Sequence, residues 1–449
     1  MDILSVLTRI SDILWSTPVV FALFLISAYI SWKTGFPQRY ISLGIRTTFS
    51  GKSGVYKSLS VSLAAVLGVG NIVGVALAIS LGGAGAVFWC WLAGLVGVGV
   101  QYAECLFSLK YRNLEADGTP QGGPMHTMRV TGYHKSALLY AAAVCLCGIA
   151  MGALIPANSI CEVLGNDGNF PTALLAAVIT VLAAIVILGG AKTIFDFCTS
   201  AVPVMIVLYI GVCLTVLFIC RDQLVNALTL ILQEAFTPAC AVSGVTGYGM
   251  GRAARWGVAR GLFSSEAGMG TAGISASAAG RGVAAEQAMG CACSTVWDTL
   301  VLAAMTGVTF VAAALHGGYG FEDALALADY AFTLVPVIGR YVLPVSITIL
   351  GFSTIVGWYY IAEQAFRFLF SRRAVRIFSV AWIAATFAGG MASMELAWTL
   401  SDIFCVFMMA PNLVTIVRLL PSAANDALKL KMLASPRKKY RRNDTFNGI

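Results

Sequence analysis

The chain has 449 residues, of which 58% are hydrophobic and only 11% charged, and its mean hydropathy is +0.83. Soluble globular proteins carry about 25% charged residues, so this composition excludes a soluble protein with an ordinary water-exposed surface. The net charge of +8 must then be explained by where the basic residues lie relative to a membrane.

Apolar runs of about 20 residues, long enough to cross a bilayer as helices, recur along the whole chain. We expect an all-α polytopic membrane protein, because the strands of a β-barrel would alternate apolar and polar residues. The seventh of about eleven predicted transmembrane helices is overlong and interrupted by glycine. The predicted spans are 17–33, 58–81, 84–109, 137–157, 171–189, 197–219, 228–262, 288–314, 341–366, 375–393 and 397–419.

Lysine and arginine fall almost entirely in alternate connections between these spans. Of the 29 basic residues, only Arg9, Arg221 and Arg340 fall on the opposite side. Because basic residues stay cytoplasmic, we expect the N-terminus outside and the C-terminus inside, in the cell (inner) membrane. The basic tail should then contact anionic lipid rather than nucleic acid.

Glycine and polar residues interrupt three of the predicted spans. The segments are LGVGNIVG (67–74), VSGVTGYGMG (242–251) with FSSEAGMGTAG (263–273) soon after, and GFSTIVGWYY (351–360). Unpaired backbone costs several kcal/mol per group in hydrocarbon, so such breaks persist where they line a cavity or bind a ligand. Close helix packing through small residues is the alternative explanation.

The positions of the breaks also suggest how the chain is divided. If the first span is an addition, the two strongest breaks fall in the first and sixth of ten helices, as two inverted five-helix repeats require. We therefore expect four parts: an N-terminal helix and cytoplasmic basic loop (1–57), a first repeat (58–220), a second repeat (221–420) and a basic cytoplasmic tail (421–449).

Several motifs resemble those of the alanine or glycine:cation symporter family, in the same order along the chain. They are GVGNIVGVALAISLGGAGAVFWCW, YAECLFSLKYR, QGGPMHTM, GVARGLFSSEAGMGTAG, VWDTL and GFSTIVGWYY. The resemblance implies a LeuT-like ten-helix core with one extra N-terminal helix, and sodium-coupled uptake of a small amino acid. One departure is Pro156, at a position where the family commonly has glutamine, and it puts the preference between alanine and glycine in question.

The resemblance also implies the positions of the substrate and of co-transported sodium. The backbone amides of Val69 and Gly70 would receive the substrate carboxylate, with Asn71 beside them. Gly244, Thr246 and Gly247, in the second break, would surround a small side chain. Trp358 would either form a wall of this pocket or only pack against neighbouring helices.

Sodium ligands are expected among oxygen atoms, since hard cations prefer hydroxyl, amide and carbonyl ligands. The Val66 carbonyl and the Asn71 side chain are candidates for one cation. The adjacent hydroxyls of Ser353 and Thr354 are candidates for a second, unless they only bond back to their own helix.

Acidic residues within predicted spans are candidate functional groups. Glu104 and Glu363 lie within reach of Arg112 and Arg367, which favours structural ion pairs. Glu266 is expected to form an inner gate together with Arg260. Asp298 would pair with a basic residue, help to hold sodium or bind a proton.

The leading interpretation is therefore a secondary active transporter of alanine or glycine, in the L or D form, driven by sodium through alternating access. Proton coupling with another small amino acid is the alternative, and a passive channel is a weaker one. The chain contains no G-x-x-x-x-G-K-[ST] loop for ATP, and its three histidines are too scattered for a membrane-embedded enzyme.

Overall fold

The computed structural model describes residues 3–50, 54–114, 120–165, 171–237, 250–280, 282–392 and 394–434, and almost all of them are helical. The first half contains α1 (Ile3–Leu14), α2 (Thr17–Lys33), α3 (Ile41–Phe49), α4 (Val55–Val66), α5 (Val73–Gly82), α6 (Ala86–Lys110), α7 (Pro124–Val130), α8 (His134–Cys147), α9 (Ile155–Gly165), α10 (Thr172–Leu188), α11 (Gly190–Ile219) and α12 (Leu224–Phe236). The second half contains α13 (Met250–Ser265), α14 (Thr271–Ala276), α15 (Ala284–Thr295), α16 (Ala304–Gly317), α17 (Ala324–Thr333), α18 (Gly339–Leu369), α19 (Val375–Met391), α20 (Met394–Leu419) and α21 (Ala424–Ala434).

Shorter elements connect or interrupt these helices. Two π-helical turns, Gly148–Leu154 and Val296–Ala303, join α8 to α9 and α15 to α16. A small antiparallel pair, β1 (Asn113–Leu114) and β2 (Pro120–Gln121), follows α6 with Asn113 opposite Gln121. The 3-10 turns are Pro37–Tyr40, Val69–Asn71, Arg221–Gln223, Arg372–Ala374 and Leu420–Ala423.

Length and apolar composition identify membrane-crossing helices among the described residues. Seven segments qualify, and nine if each of two bent pairs, α1 with α2 and α4 with α5, is one span. The apolar helix α10 has 17 residues and α13 has 16, so both are shorter than these segments. The expected polytopic, all-helical architecture is therefore present.

The predicted seventh span, 228–262, is wrong. The structure instead forms two separate helices, α12 and α13. Helix α12 ends because Thr237 precedes Pro238 and takes an extended ψ of 120°, as residues before proline generally do. The short helices α1, α3, α7, α17 and α21 lie outside the predicted spans, because a search for membrane-length apolar runs does not detect them.

Contacts between connecting segments agree with the two-sided distribution of charge. Lys110 forms an ion pair with Asp426 at 2.7 Å, and both residues lie on the side predicted to be cytoplasmic. On the opposite side, the His316 imidazole lies 3.4 Å from Asp222. The fold thus brings together residues that the topology assigns to the same face.

The long helix α18 packs very closely against α4. A Cβ added to Gly357 would lie 2.6 Å from the Ala65 nitrogen, a distance that side chains do not tolerate. This contact brings the middle of α18 beside the C-terminal end of α4, and both helices contribute to the site described below.

We expect Gly357→Ala to lower the free energy of unfolding by about 1–3 kcal/mol, because overpacking forces backbone shifts. The measurement is the melting temperature of the purified protein in detergent. Gly211→Ala in α11 is the matched control, because a Cβ there meets nothing within 4 Å. Equal melting temperatures for the two variants would show that the α4–α18 contact is not tight.

Candidate functional site

The helix that begins as α4 breaks where the sequence predicts. It ends at Val66, passes through an extended Gly68 (φ −134°, ψ −160°) and resumes at Val69 with a bend of 65°. A Cβ on Gly68 would lie 2.5 Å from the Thr354 hydroxyl oxygen. Glycine is therefore required here by the close approach of α18.

The break creates the N-terminus of a new helix inside the protein. The first hydrogen bonds of the new turn run from the Asn71 and Ile72 amides to the Gly68 and Val69 carbonyls, both at 3.2 Å. The preceding N–H groups, including those of Val69 and Gly70, are the donors that a helix N-terminus leaves without intrahelical partners. Such donors favour an anionic group.

Asn71 lies at the centre of a buried polar network. Its side-chain nitrogen donates to an Asp298 carboxylate oxygen at 2.7 Å, and its side-chain oxygen accepts from the Ser264 hydroxyl at 2.9 Å. Asp298 also accepts from Ser264 at 3.2 Å and from Thr299 at 2.7 Å. The network joins the first break, the end of α13 and the π-helical turn of residues 296–303.

Burial makes this network costly unless its charge is balanced. Asp298 has no exposed surface, and Asn71 and Ser264 are 1% and 6% exposed. The donors that bond to Asp298, from Asn71, Ser264 and Thr299, are all uncharged. A buried carboxylate with neutral partners carries a desolvation penalty of several kcal/mol, so a cation bound among these oxygens would stabilise it.

Ser353 and Thr354 lie beside the same break, on α18. Both hydroxyls donate back to the Leu350 carbonyl, at 2.8 and 3.0 Å, and Ser353 also lies 3.4 Å from the Ala64 carbonyl. The back-bonding expected as an alternative is therefore present, but each oxygen retains lone pairs that can accept or ligate. The Val66 carbonyl accepts only a long bond of 3.4 Å from Asn71.

A small cavity of about 30 Å³ lies against the break. It is lined by Ala65, Val66, Gly68, Val69, Gly70, Met151, Ile155, Pro156, Phe263, Ser264, Thr354 and Trp398. The predicted residues Val66, Val69, Gly70 and Thr354 thus converge on one space. Pro156 lies in its wall as well.

Trp358 is not among the residues that line this cavity, and it packs against neighbouring helices, which is the second of its two predicted roles. The Trp358 side chain is completely buried and its indole N–H donates to Glu266 at 2.9 Å. It also packs so closely on Gly152 that a Cβ there would lie 2.4 Å from the Trp358 Cβ. The aromatic wall comes from Trp398 and Phe263 instead, because α18 turns Trp358 towards the second break.

A second break separates α13 from α14, in the segment FSSEAGMGTAG. Glu266, Gly268 and Gly270 have φ values of +53°, +100° and +83°, which end one helix and start another within five residues. The glycines adopt this left-handed backbone without steric cost. The predicted substrate residues Gly244, Thr246 and Gly247 lie outside the described residues.

Glu104 binds the second break directly. One carboxylate oxygen accepts from the amides of Gly268 (2.8 Å) and Gly270 (3.1 Å) and from the Asn412 side chain (2.9 Å). The ion pair expected between Glu104 and Arg112 is therefore wrong, because the broken backbone supplies donors closer to Glu104. The expected pair of Glu363 with Arg367 is present, at 2.7 Å.

Arg112 bonds instead to the backbone beyond α14. Its guanidinium donates to the carbonyls of Ser277 (3.3 Å), Ala279 (2.5 Å) and Gly280 (3.1 Å). These carbonyls follow the C-terminal end of a helix, where a cation is favoured.

The inner gate predicted between Arg260 and Glu266 is also wrong. Arg260 lies over the rings of Trp256 and Phe263, at 5.8 and 5.6 Å, and lines a separate cavity with Asp402. Glu266 is six residues after Arg260, and it points to Trp358 because the backbone reverses at the positive φ of Glu266.

Sequence reasoning missed Ser264, Asn412, Phe263, Trp398 and Asp402. Ser264 and Phe263 belong to FSSEAG, a motif recognised without separate roles for its members. Asn412, a polar residue in an apolar run, was the strongest available signal. Nothing local to Trp398 or Asp402 indicates which helices they face.

The chain resembles known transporters over nearly its entire length. The family model described as "Sodium:alanine symporter family" matches residues 1–443. An uncharacterized transporter of Haemophilus influenzae is 34% identical over 432 residues, covering 93% of this chain and 94% of that protein. The sodium/alanine symporter AgcS of Methanococcus maripaludis is 29% identical over 435 residues, covering 93% and 95%.

The fold also has a solved counterpart. The crystal structure of MhsT in complex with L-phenylalanine superposes with a TM-score of 0.55 at 14% identity, covering 84% of this chain and 98% of that one. At this identity the likeness concerns the fold, which is of the expected LeuT-like type.

Proposed function

The chain belongs to the sodium:alanine symporter family, and on that premise we propose that it takes up alanine or glycine, in the L or D form, together with sodium by alternating access. The family consists of membrane transporters that couple amino acids to a cation, so the protein is a transporter of this class and not an enzyme. No role for ATP or nucleic acid forms part of the proposal.

The buried network of Asn71, Ser264 and Asp298 is the observation that carries the proposal. It offers amide, hydroxyl and carboxylate oxygens, the donor set preferred by hard cations, around a carboxylate whose bonded partners are neutral. We assign the coupling cation to this network and identify it as sodium. A proton on Asp298 would relieve the same charge, which is why proton coupling remains the alternative.

A second sodium position is proposed between the two helices that meet at Gly68. The Val66 carbonyl, at the end of α4, and the hydroxyls of Ser353 and Thr354, on α18, would supply its ligands. The Asn71 side chain belongs to the first position. Both positions adjoin the break, so cation binding would stabilise the bent arrangement of α4 and α5.

We place the substrate in the small cavity, between the two proposed sodium positions and the aromatic side chains of Phe263 and Trp398. Its carboxylate would bind the amides of Val69 and Gly70, beside Asn71, at the N-terminus of the resumed helix. The cavity of about 30 Å³ is smaller than an amino acid, so the helices around it would have to move apart on binding, and a small side chain would require the least movement. Size selection of this kind is worth about 1–3 kcal/mol per methylene, and Pro156 in the wall would influence it.

The proposed architecture has eleven transmembrane helices and two inverted repeats. The repeats (58–220 and 221–420) would each include one interrupted helix, α4–α5 and α13–α14, after the N-terminal part (1–57) and before the tail (421–449). The N-terminus would face outside and the C-terminus the cytoplasm. The second break at 266–270 takes the place first given to 242–251, whereas Gly244, Thr246 and Gly247 stay predictions.

Uptake into proteoliposomes tests the proposal. With an inward sodium gradient, radiolabelled alanine or glycine should accumulate above the external concentration, and a matched choline gradient should support no accumulation. Accumulation that ignores sodium but collapses with a protonophore would shift the coupling to protons. Equilibration without accumulation would indicate a channel, and no uptake of either amino acid would indicate a different substrate.

A further inference from the structure

A second, more polar cavity adjoins the proposed substrate cavity. It has a volume of about 70 Å³, and its lining includes Trp15, Trp256, Arg260, Phe263 and Asp402. We call it the vestibule. It lies beside α1, on the face assigned to the outside. Arg260 was counted with the cytoplasmic residues when 228–262 was predicted as one span, and the division of that span into α12 and α13 lets us assign it to the outer face instead.

Phe263 lines both cavities and so separates them. Its ring packs on Trp398 with centroids 6.0 Å apart and planes inclined by 32°. A solute entering through the vestibule would therefore meet this aromatic pair immediately before the Val69–Gly70 amides. The vestibule is in the right place for the first contact with substrate.

Arg260 gives the vestibule a cation suited to a carboxylate. Its guanidinium lies between the rings of Trp256 and Phe263, and its Nε is buried without a hydrogen-bond partner. A planar guanidinium presents donors that match the two oxygens of a carboxylate. The orphaned Nε is one such donor.

Asp402, on α20, gives the vestibule an anion, and α1 holds it in position. The Trp15 indole donates to the Asp402 carbonyl at 3.1 Å, and the Ser11 hydroxyl lies 3.4 Å from a carboxylate oxygen. Asp402 and Arg260 line the same cavity. Because α1 supplies these contacts, the N-terminal helix forms part of the vestibule wall.

We propose that the vestibule is a first binding site for the zwitterionic amino acid, where Arg260 binds the carboxylate and Asp402 the ammonium group, and where Ser11 and Trp15 of α1 position Asp402. The inference rests on the proposed function and orientation. Arg255 and Asp12 also line the vestibule, so its wall carries two charges of each sign. A zwitterion matches such a wall with both of its charges, whereas an anion or a cation alone matches only half of it.

Thiol protection tests this site separately from the central one. All eleven described cysteines are buried, so Cys240→Ser provides a background with little expected labelling. Ala259→Cys adds a reporter in the vestibule wall, and Asn71→Ala weakens the central site. The probe is a membrane-impermeant methanethiosulfonate, and alanine is the protecting solute.

We expect alanine to slow labelling of Ala259→Cys at least threefold even in the presence of Asn71→Ala. Propionate and ethylamine, which each lack one charge, should protect less. Arg260→Gln should remove the protection, and Trp15→Phe, which keeps the ring but loses the N–H donor, should weaken it. Because the assay needs no sodium-driven uptake, a failure of the proposed function would not imitate these results.

Three results would overturn the inference. Protection that disappears with Asn71→Ala would report occupancy of the central site alone. Protection that survives Arg260→Gln would show that the carboxylate binds elsewhere. Failure of Ala259→Cys to label, while the exposed Asp12→Cys at the rim labels readily, would show that the vestibule is closed to solutes from outside.

Discussion

Asp298→Ala is expected to abolish sodium-dependent uptake, and Asp298→Asn to weaken sodium affinity by about 10²–10³-fold. Removing one charge from a buried ionic interaction costs about 3–5 kcal/mol, which corresponds to that range. The Asn71 amide and the Ser264 hydroxyl would lose their common acceptor in the alanine variant. The measurement is the sodium concentration that gives half-maximal alanine uptake in proteoliposomes.

Glu363→Gln is the matched control for the Asp298 variants. Glu363 is also buried but forms an ion pair with Arg367 near the C-terminal end of α18. Along that helix it lies well beyond Thr354, the residue that contacts the break at Gly68. Its loss should alter stability while leaving half-maximal sodium unchanged. An unchanged sodium requirement in Asp298→Asn would remove Asp298 from the cation site, and uptake that no longer responds to a proton gradient would support proton coupling through Asp298.

A double-mutant comparison of Asn71→Ala and Asp298→Asn, measured as the sodium concentration that gives half-maximal uptake, would establish whether the two residues act together. Their side chains lie 2.7 Å apart, and residues in one network show coupling energies of about 0.5–3 kcal/mol. The combined variant should therefore lose little more than either single variant. Strictly additive losses would indicate that they serve separate steps.

Glu104→Ala is expected to reduce the initial rate of uptake by about 10²-fold, whereas Glu104→Gln should retain most of it. One oxygen of Glu104 accepts three hydrogen bonds that shape the second break, and each bond to a charged group is worth about 1.5–3 kcal/mol. The glutamine carbonyl has two lone pairs and so keeps an acceptor at the same place for two of the three donors. Alanine leaves the Gly268 and Gly270 amides buried without their acceptor.

Uptake rate and melting temperature, measured for both Glu104 variants, distinguish a structural role of Glu104 at the second break from a requirement for its negative charge. Glu162→Ala, an exposed acid on α9, is the control and should change neither quantity. If Glu104→Gln lost as much transport as Glu104→Ala while keeping its melting temperature, the negative charge itself would be required. Glu104 would then belong with the coupling groups rather than with the residues that position the break.

Local sequence features were sufficient for several parts of the site. The break at residues 67–74 follows from Gly68 and Gly70 beside Asn71 in an apolar run, since these residues weaken a helix wherever they occur. The alternation of basic connections is likewise a local property, and contacts such as Lys110–Asp426 agree with it. The second break lies in the segment FSSEAGMGTAG, whereas the glycines of residues 242–251 predicted it slightly earlier in the chain.

Partners across the fold could not be assigned in the same way. Glu104 was predicted to pair with a basic residue close to it in the sequence. In the structure it instead accepts hydrogen bonds from backbone amides of a segment 164 residues away. The sequence left Trp358 either in the pocket wall or in helix packing. The close packing of α18 against Gly152 favours the second role.

The sequence by itself thus determined that this is a helical membrane protein with a broken helix at Gly68, because composition, charge alternation and glycine act locally. Its motifs separately indicated the sodium:alanine symporter family. Only the tertiary structure decided that Asn71 meets Asp298 across 227 residues, that Trp398 replaces Trp358 in the cavity wall, and that α1 reaches Asp402. Those contacts depend on how helices that are distant in the sequence pack and rotate against each other. The two glycine-rich breaks also leave backbone donors and acceptors without partners in their own helices, so that these groups can bond to other segments.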